Sequence, residues 1–234
     1  NQEGWVTRLQ DYATLAGLGE LTGVDLPNEF EGRVPTPQWK WEFNQNNPEY
    51  QQWYPGDVVN MAVGQGDILV TPLQLADVFA AIANRGPFFR PHVGKEIRTW
   101  QGDTERVIEA EQIGDITSAD NELGVSVSKD KVEVVRSALT GVVSGGGTAA
   151  GAFYGFPLQQ IPVAGKTGTA EVTGKQSCAW FACYAPAGDP QYVVVVMIEE
   201  GGSGGMAAAP VARRILEHIY GITPGQPKPE VMTE

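Results

Sequence analysis

Apolar residues recur along this chain at two periods. At the helical spacing, Leu75, Val78, Phe79 and Ile82 share one face. Thr71, Pro72 and Gln74 just before them have the layout of an N-terminal capping box with Pro at the first helical position. Asn84-Arg85-Gly86-Pro87 stops that helix. A second stripe, Val132, Val135, Leu139 and Val142, predicts a helix capped by Ser128, with Val127 and Val132 as a hydrophobic staple and Gly145-Gly146-Gly147 as its stop. Further helices are predicted from Thr7 to Ala16, halted at Gly17, and from about Ala207 to Tyr220, with Pro210 in the first turn. Strand-like runs cover Ile161 to Gly165, Cys178 to Tyr184 and Tyr192 to Ile198. Pro186-Ala187-Gly188-Asp189-Pro190 joins the last two as a tight antiparallel turn. The continuous apolar run Val193 to Ile198 predicts a strand covered on both faces. His92 to Trp100 and Glu105 to Ile108 read as a peripheral hairpin turning at Gly102-Asp103. The stretch from Leu26 to Pro55 has no period and is rich in Pro, Asn and Trp. It reads as a loop excursion held by Trp39, Trp41, Trp53 and Tyr54. From Thr223 onward the chain is Pro-rich and polar and reads as a frayed tail.

Composition narrows the function classes. The 234 residues, 42% hydrophobic, suffice for one sizeable core. A net charge of -12 argues against nucleic acid as a partner, because phosphate contacts need clustered Lys and Arg. No apolar run reaches the roughly 18 residues of a membrane span, and no signal peptide opens the chain. Cys178 and Cys183 lie an odd number of positions apart on one strand. They point to opposite faces and read as two buried, unbonded thiols. With only His92 and His218, a zinc site or a His-dependent triad is not expected, and no cofactor is called for.

Several motifs mimic catalytic ones. Gly201-Gly202-Ser203-Gly204-Gly205 matches a nucleophile elbow, yet only one helix follows and no acid-then-His order can be built, so it reads as a flexible glycine turn. Gly165-Lys166-Thr167 mimics the end of a P-loop, but Gln160 stands where the first glycine belongs and no helix follows. Gly145, Gly147 and Ala150 imitate a dinucleotide fingerprint after a helix, where a strand is needed. Ser126-Val127-Ser128-Lys129 matches S-x-x-K. A lysine one turn after a serine can take the hydroxyl proton, but Ser126 falls before the helix and Lys129 reads as solvated. Ser118-Ala119-Asp120 reads as a loop turn. Lys166-Thr167-Gly168-Thr169, expected at the end of the Ile161 to Gly165 strand, remains. A lysine and two hydroxyls on a sheet edge can hold a carboxylate, and edge N–H groups can stabilise an oxyanion. Lys-Thr-Gly is also one of three motifs that mark serine acyltransferases acting on penicillin-like substrates.

The surroundings of that motif resemble the transpeptidase domain of class B penicillin-binding proteins. Gly17-Leu18-Gly19, Thr22 to Pro27, Glu29, Gly32 and Pro35 are similar to the family's segment after its S-x-N motif. Tyr54-Pro55-Gly56-Asp57, Asn60 to Gly66, Thr71 to Ala76 and Ala83 to Gly86 follow in the same order, then Gly147-Thr148-Ala149, Gly165 to Ala170 and Trp180-Phe181-Ala182. The match runs from about Leu15 to Ile219, and the Trp-containing insertion before Tyr54 resembles elongation-type, actinobacterial-like members.

The resemblance implies an α/β (α+β) fold, an antiparallel sheet flanked by helices as in serine β-lactamases. It implies a peptidoglycan D,D-transpeptidase in which a serine attacks the D-Ala-D-Ala end of a stem peptide and forms an acyl-enzyme that a neighbouring amine resolves; β-lactams acylate the same serine. Lys166 would supply positive charge and help proton transfer, Thr167 and Thr169 would bind the terminal carboxylate, and Gly168 would let substrate approach. The Thr169 N–H would be half of the oxyanion hole, while Gly64 and Gln65 would support the site. The family's S-x-x-K and S-x-N motifs precede the segment that begins here at Asn1. Residues 1–222 therefore read as the C-terminal part of a transpeptidase domain, inactive alone, and 223–234 as a tail. The implied setting is the extracytoplasmic face of the bacterial membrane, anchored by an upstream segment. The implied partners are the upstream part of the domain and a membrane glycosyltransferase of the elongation machinery. A non-catalytic peptidoglycan or β-lactam sensor stays open as an alternative; a β-lactamase should lack the Gly64 to Gly66 and Thr71 to Ala76 blocks.

Overall fold

The computed structural model describes residues 3–225. They form two compact units, one of residues up to 81 with 86–127, the other of 82–85 with 128 onward. Residues 226–234, most of the expected tail, lie outside the described residues.

In the first unit, α1 spans Glu3–Leu15 and ends at Gly17, which has φ +85°. The stretch from Leu26 to Pro55 is not the loop expected. It holds α2, Pro37–Phe43, and a 3₁₀ turn, Pro48–Tyr50, and α3, Pro55–Ala62, starts at its end. Each helix has a local start signal. The Thr36 hydroxyl accepts the Trp39 N–H at 3.0 Å, and the Tyr54 N–H donates to the Asp57 carboxylate at 2.7 Å, with Pro at the first helical position in both. Of the aromatic quartet, Trp41 and Tyr54 are about half exposed, at 54% and 48%, while Trp39 and Trp53 are half-buried. Arg33 lies 4.3 Å over the Trp39 ring, and the buried Lys40 ammonium, near Trp53 and Tyr54, reaches both Asp57 carboxylate oxygens at 2.7 Å.

Helix α4, Pro72–Ala83, carries the expected capping box. The Gln74 N–H meets Thr71 Oγ1 at 3.1 Å and the Thr71 N–H meets Gln74 Oε1 at 3.0 Å. Gln74 is fully buried, and its amide donates to Glu20 O and Glu31 O at 2.7 Å each. Phe79 is buried as expected, while Leu75, Val78 and Ile82 are half-buried. The hairpin of β2, Glu96–Arg98, and β3, Thr104–Val107, turns at Gly102 but is shorter than expected. The Val93 and Gly94 N–H groups donate to the Asp25 carboxylate at 2.7 and 2.9 Å, so they are unavailable to a ladder. An unexpected antiparallel pair joins β1, Pro87–Phe89, to β4, Gln112–Asp115. Gly114 permits it, since an added Cβ there would lie 2.3 Å from the Phe88 ring.

The second unit is built on a three-stranded antiparallel sheet of order β5-β6-β7: Ala164–Ala170, Cys178–Ala185 and Tyr192–Ile198. Strand β5 starts later than expected, because Pro162 has no N–H and its carbonyl is taken by the Ala187 N–H at 2.7 Å. One face of the sheet packs Ala179, Phe181, Cys183, Val194 and Val196 against Phe153 and against Ala212 and Leu216 of α6, Ala209–Ile219. The opposite face of β7 is only half-buried at Val193, Val195 and Met197, so the strand is not covered on both sides. Helix α5, Lys129–Thr140, starts at Ser128 as expected. Its stripe differs, with Val135 42% exposed and Arg136 buried. The Arg136 guanidinium donates to the carbonyls of Ile82 (3.0 Å), Ala83 and Ala187 (2.9 Å), which compensates the buried charge. Both cysteines are free, but only Cys183 is buried; Cys178 is partly exposed. Burial pushes the Cys183 thiol up to about 12. Among the described residues, no helix is long and apolar enough to cross a membrane.

Candidate active-site strand

The motif Lys166-Thr167-Gly168-Thr169 lies inside β5 and not at a strand end, paired in register with Ala182, Phe181, Trp180 and Ala179. Opposed residues of an antiparallel pair share a face. Thr167 and Thr169 therefore sit on the side of Phe181 and Ala179, and Lys166 and Gly168 on the side of Ala182 and Trp180. Lys166 and Thr169 are exposed, and Thr167 and Gly168 are half-buried. β5 is the end strand of its sheet among the described residues. The Lys166 ammonium donates to the Thr167 carbonyl at 2.6 Å, and the Thr167 hydroxyl lies 2.8 Å from that of Thr148. The arrangement offers two hydroxyls on one face of a strand and a cation on the other.

Glycines set the backbone beneath these groups. Gly201 to Gly205 leads into a π-helical turn, Gly204–Ala208, and is not the loose turn expected. A Cβ on Gly204 would lie 2.1 Å from Trp180 O and 2.4 Å from Gly168 O, and one on Gly205 2.2 Å from Thr148 O. A Cβ on Gly168 would press on Trp180 Cβ at 3.1 Å. The turn thus lies backbone against backbone on the motif. Thr148 is the residue that motif reading missed. It appears above only within a family block, and no local pattern marks it as facing β5.

Gly64 and Gln65 belong to the first unit, where they end α3. The Gly64 N–H donates to Met61 O at 3.0 Å with φ +75°, and the Gln65 N–H to Asn60 O at 2.8 Å. The strand belongs to the second unit. The mimics fare as their context predicts. Ser126 stands outside α5 with Lys129 exposed, and the Ser118 hydroxyl accepts the Asp120 N–H at 3.1 Å in a turn. The first unit also contains a cavity of about 790 Å³ lined in part by Glu20, Asp77, Arg90, Asp115, Asp120 and Glu122.

A family model described as the penicillin binding protein transpeptidase domain matches residues 4–217. The chain belongs to this family. Its relatives are of the expected elongation type. It is 33% identical over 224 residues to the peptidoglycan D,D-transpeptidase MrdA of Acinetobacter baumannii, covering 89% of this chain and 30% of that protein. Pseudomonas aeruginosa PBP2, solved in complex with WCK 5153, superposes with a TM-score of 0.74 at 30% identity over 97% of this chain and 46% of that one. Helicobacter pylori PBP2, solved in complex with MreC, gives 0.64 at 30% identity over 88% of this chain and 35% of that one. The α+β architecture with antiparallel sheets is thus that of penicillin-binding protein transpeptidase domains. The chain spans about a third of the length of the curated relatives it matches.

Proposed function

We propose that this chain supplies the substrate-binding strand of a peptidoglycan D,D-transpeptidase. The observation that carries the reading is the placement of Thr167 and Thr169 on one face of an end strand, with Lys166 on its other face, in a chain whose family match runs from residue 4 to 217. In this reading the Thr167 and Thr169 hydroxyls bind the carboxylate that ends a D-Ala-D-Ala stem peptide or a β-lactam. The Thr169 N–H faces the developing oxyanion, whose stabilisation is worth about 10²–10³ in rate per donor in acyl transfer. Lys166 places its charge beside the reacting carbonyl. The acylated serine and its lysine come from polypeptide preceding Asn1, so residues 1–222 act as one part of a larger domain. The whole protein works outside the cell membrane, anchored upstream, with a membrane glycosyltransferase. A protein of the MreC kind is a further candidate partner, because Helicobacter pylori PBP2 was solved in complex with MreC.

The test is to treat the full-length polypeptide with benzylpenicillin, digest it and locate the adduct by mass spectrometry. An adduct on a serine preceding Asn1 is expected. An adduct on Ser126, or on any other serine within these residues, overturns the division of labour. Penicillin binding without any covalent adduct overturns the enzyme and leaves a sensor.

A further inference from the structure

We infer that Thr148 is a positioning residue for Thr167, orienting its hydroxyl toward the carboxylate of the ligand; this rests on the function proposed above. The two side-chain oxygens are 2.8 Å apart, a normal O–H···O length. Either hydroxyl could donate, and the chemistry selects one direction. For Thr167 to donate to a carboxylate, its own proton must be free, so Thr148 must donate to Thr167 Oγ1. A hydroxyl that accepts one hydrogen bond becomes a stronger donor in the next. Thr148 therefore both selects the useful rotor of Thr167 and polarises it toward the anion.

The backbone is built to keep this pair. A Cβ on Gly147 would lie 2.2 Å from Gly141 O and 2.3 Å from Val142 O, so the turn bearing Thr148 packs directly on the 3₁₀ turn after α5. The Ala149 N–H donates to Val142 O at 2.9 Å and fixes the other side. A Cβ on Gly205 would strike Thr148 O and lie 3.6 Å from the Thr167 Cγ2 methyl. Glycines thus press the Thr148 turn, the π-helical turn and β5 together at one point. Thr148 itself is exposed, so the fold does not need its side chain for the core.

The experiment measures β-lactam acylation of the full-length protein by stopped flow, separating dissociation of the first complex from the acylation rate constant. Thr148→Val keeps the shape and removes the donor. It is expected to weaken the first complex about tenfold, the order of one hydrogen bond to a charged group, with the rate constant changed by less than about twofold. Thr148→Ser is expected to restore binding. In a Thr167→Val background, Thr148→Val should cost almost nothing further. Wild-type acylation with an unaffected Thr148→Val overturns this inference and leaves the proposed function standing. A full tenfold loss in the Thr167→Val background overturns it too, since Thr148 would then touch the ligand itself. A wild type that is never acylated overturns the function and the inference together.

Discussion

Replacing Asp77 with Asn should stabilise the protein above neutral pH and leave it unchanged near pH 4. Asp77 sits on α4, half-buried at the wall of the first unit's cavity. Among the described residues, Arg90 is the one cationic side chain lining that cavity, and it is engaged elsewhere, with Glu111 at 2.7 and 3.1 Å. Burial, and then the charge of Glu29, push the Asp77 carboxyl up from 3.8 to about 7. Burial pushes Glu29 up as well, but hydrogen bonds from the Thr22 hydroxyl and from the Thr22 and Gly23 N–H groups outweigh it and hold that carboxyl below its ordinary range. The sign follows from Asp77 binding its proton more tightly when folded. Its contribution is whole below 3.8, is lost as pH rises toward 7, and stays lost above that. The interval spans about three pH units, each worth about 1.4 kcal/mol, which sets a ceiling of about 4 kcal/mol. Asp77 keeps solvent contact, and screening brings the expected gain to about 1–2 kcal/mol. For a chain of this size, that is about 3–6 °C in Tm. Thermal unfolding of wild type and Asp77→Asn at half-unit steps from pH 4 to 8 should show two curves that diverge up to about 7 and then run parallel. A gain that is the same at every pH, or no gain at pH 8, would refute the reasoning.

Three other outcomes follow from the second unit. Gly204→Ala puts a methyl inside contact distance of Trp180 O and Gly168 O. It should cost about 1–3 kcal/mol of stability and slow penicillin acylation of the full-length protein, which chemical unfolding and acylation kinetics would show. Arg213→Met removes a fully buried guanidinium that holds Glu217 at 2.8 Å and the Ala152 and Tyr154 carbonyls. It should cost about 1–3 kcal/mol by denaturant titration, because the Ala152 and Tyr154 carbonyls lose their donor, and adding Glu217→Leu should recover little, since Arg214 at 2.9 Å and the Gly225 N–H still hold that carboxylate. Cys183, fully buried with its thiol pushed up to about 12, should resist iodoacetamide at pH 8 while Cys178 is alkylated, as peptide mapping would report.

What the chain reveals before folding depends on how each element is held. Helix α4 and strands β6 and β7 declare themselves because cap, period and turn agree over a dozen residues or a full strand. Helices α2 and α3 escape a periodicity reading because seven and eight residues give barely two turns; their evidence is the Thr36-Pro37 and Tyr54-Pro55 starts alone. Arg136 escapes for the opposite reason. A charged residue is assigned outward by default, and its burial depends on carbonyls of Ile82, Ala83 and Ala187 that no local window contains. The candidate site combines both difficulties. Gly-Lys-Thr-Gly-Thr-Ala has almost no strand-forming apolar content, so the apolar pattern of the strand ends where the site begins. Its extended form is imposed by pairing with Cys178–Ala185. That division suits a binding edge. The partner strand takes on the hydrophobic burial, and the exposed residues of β5 are left to be chosen for their hydroxyls and charge. Thr148 follows the same logic at longer range. Its motif is visible in the sequence, but its partnership with Thr167 exists only because Gly147 and Gly205 let separate backbone turns meet without a Cβ between them.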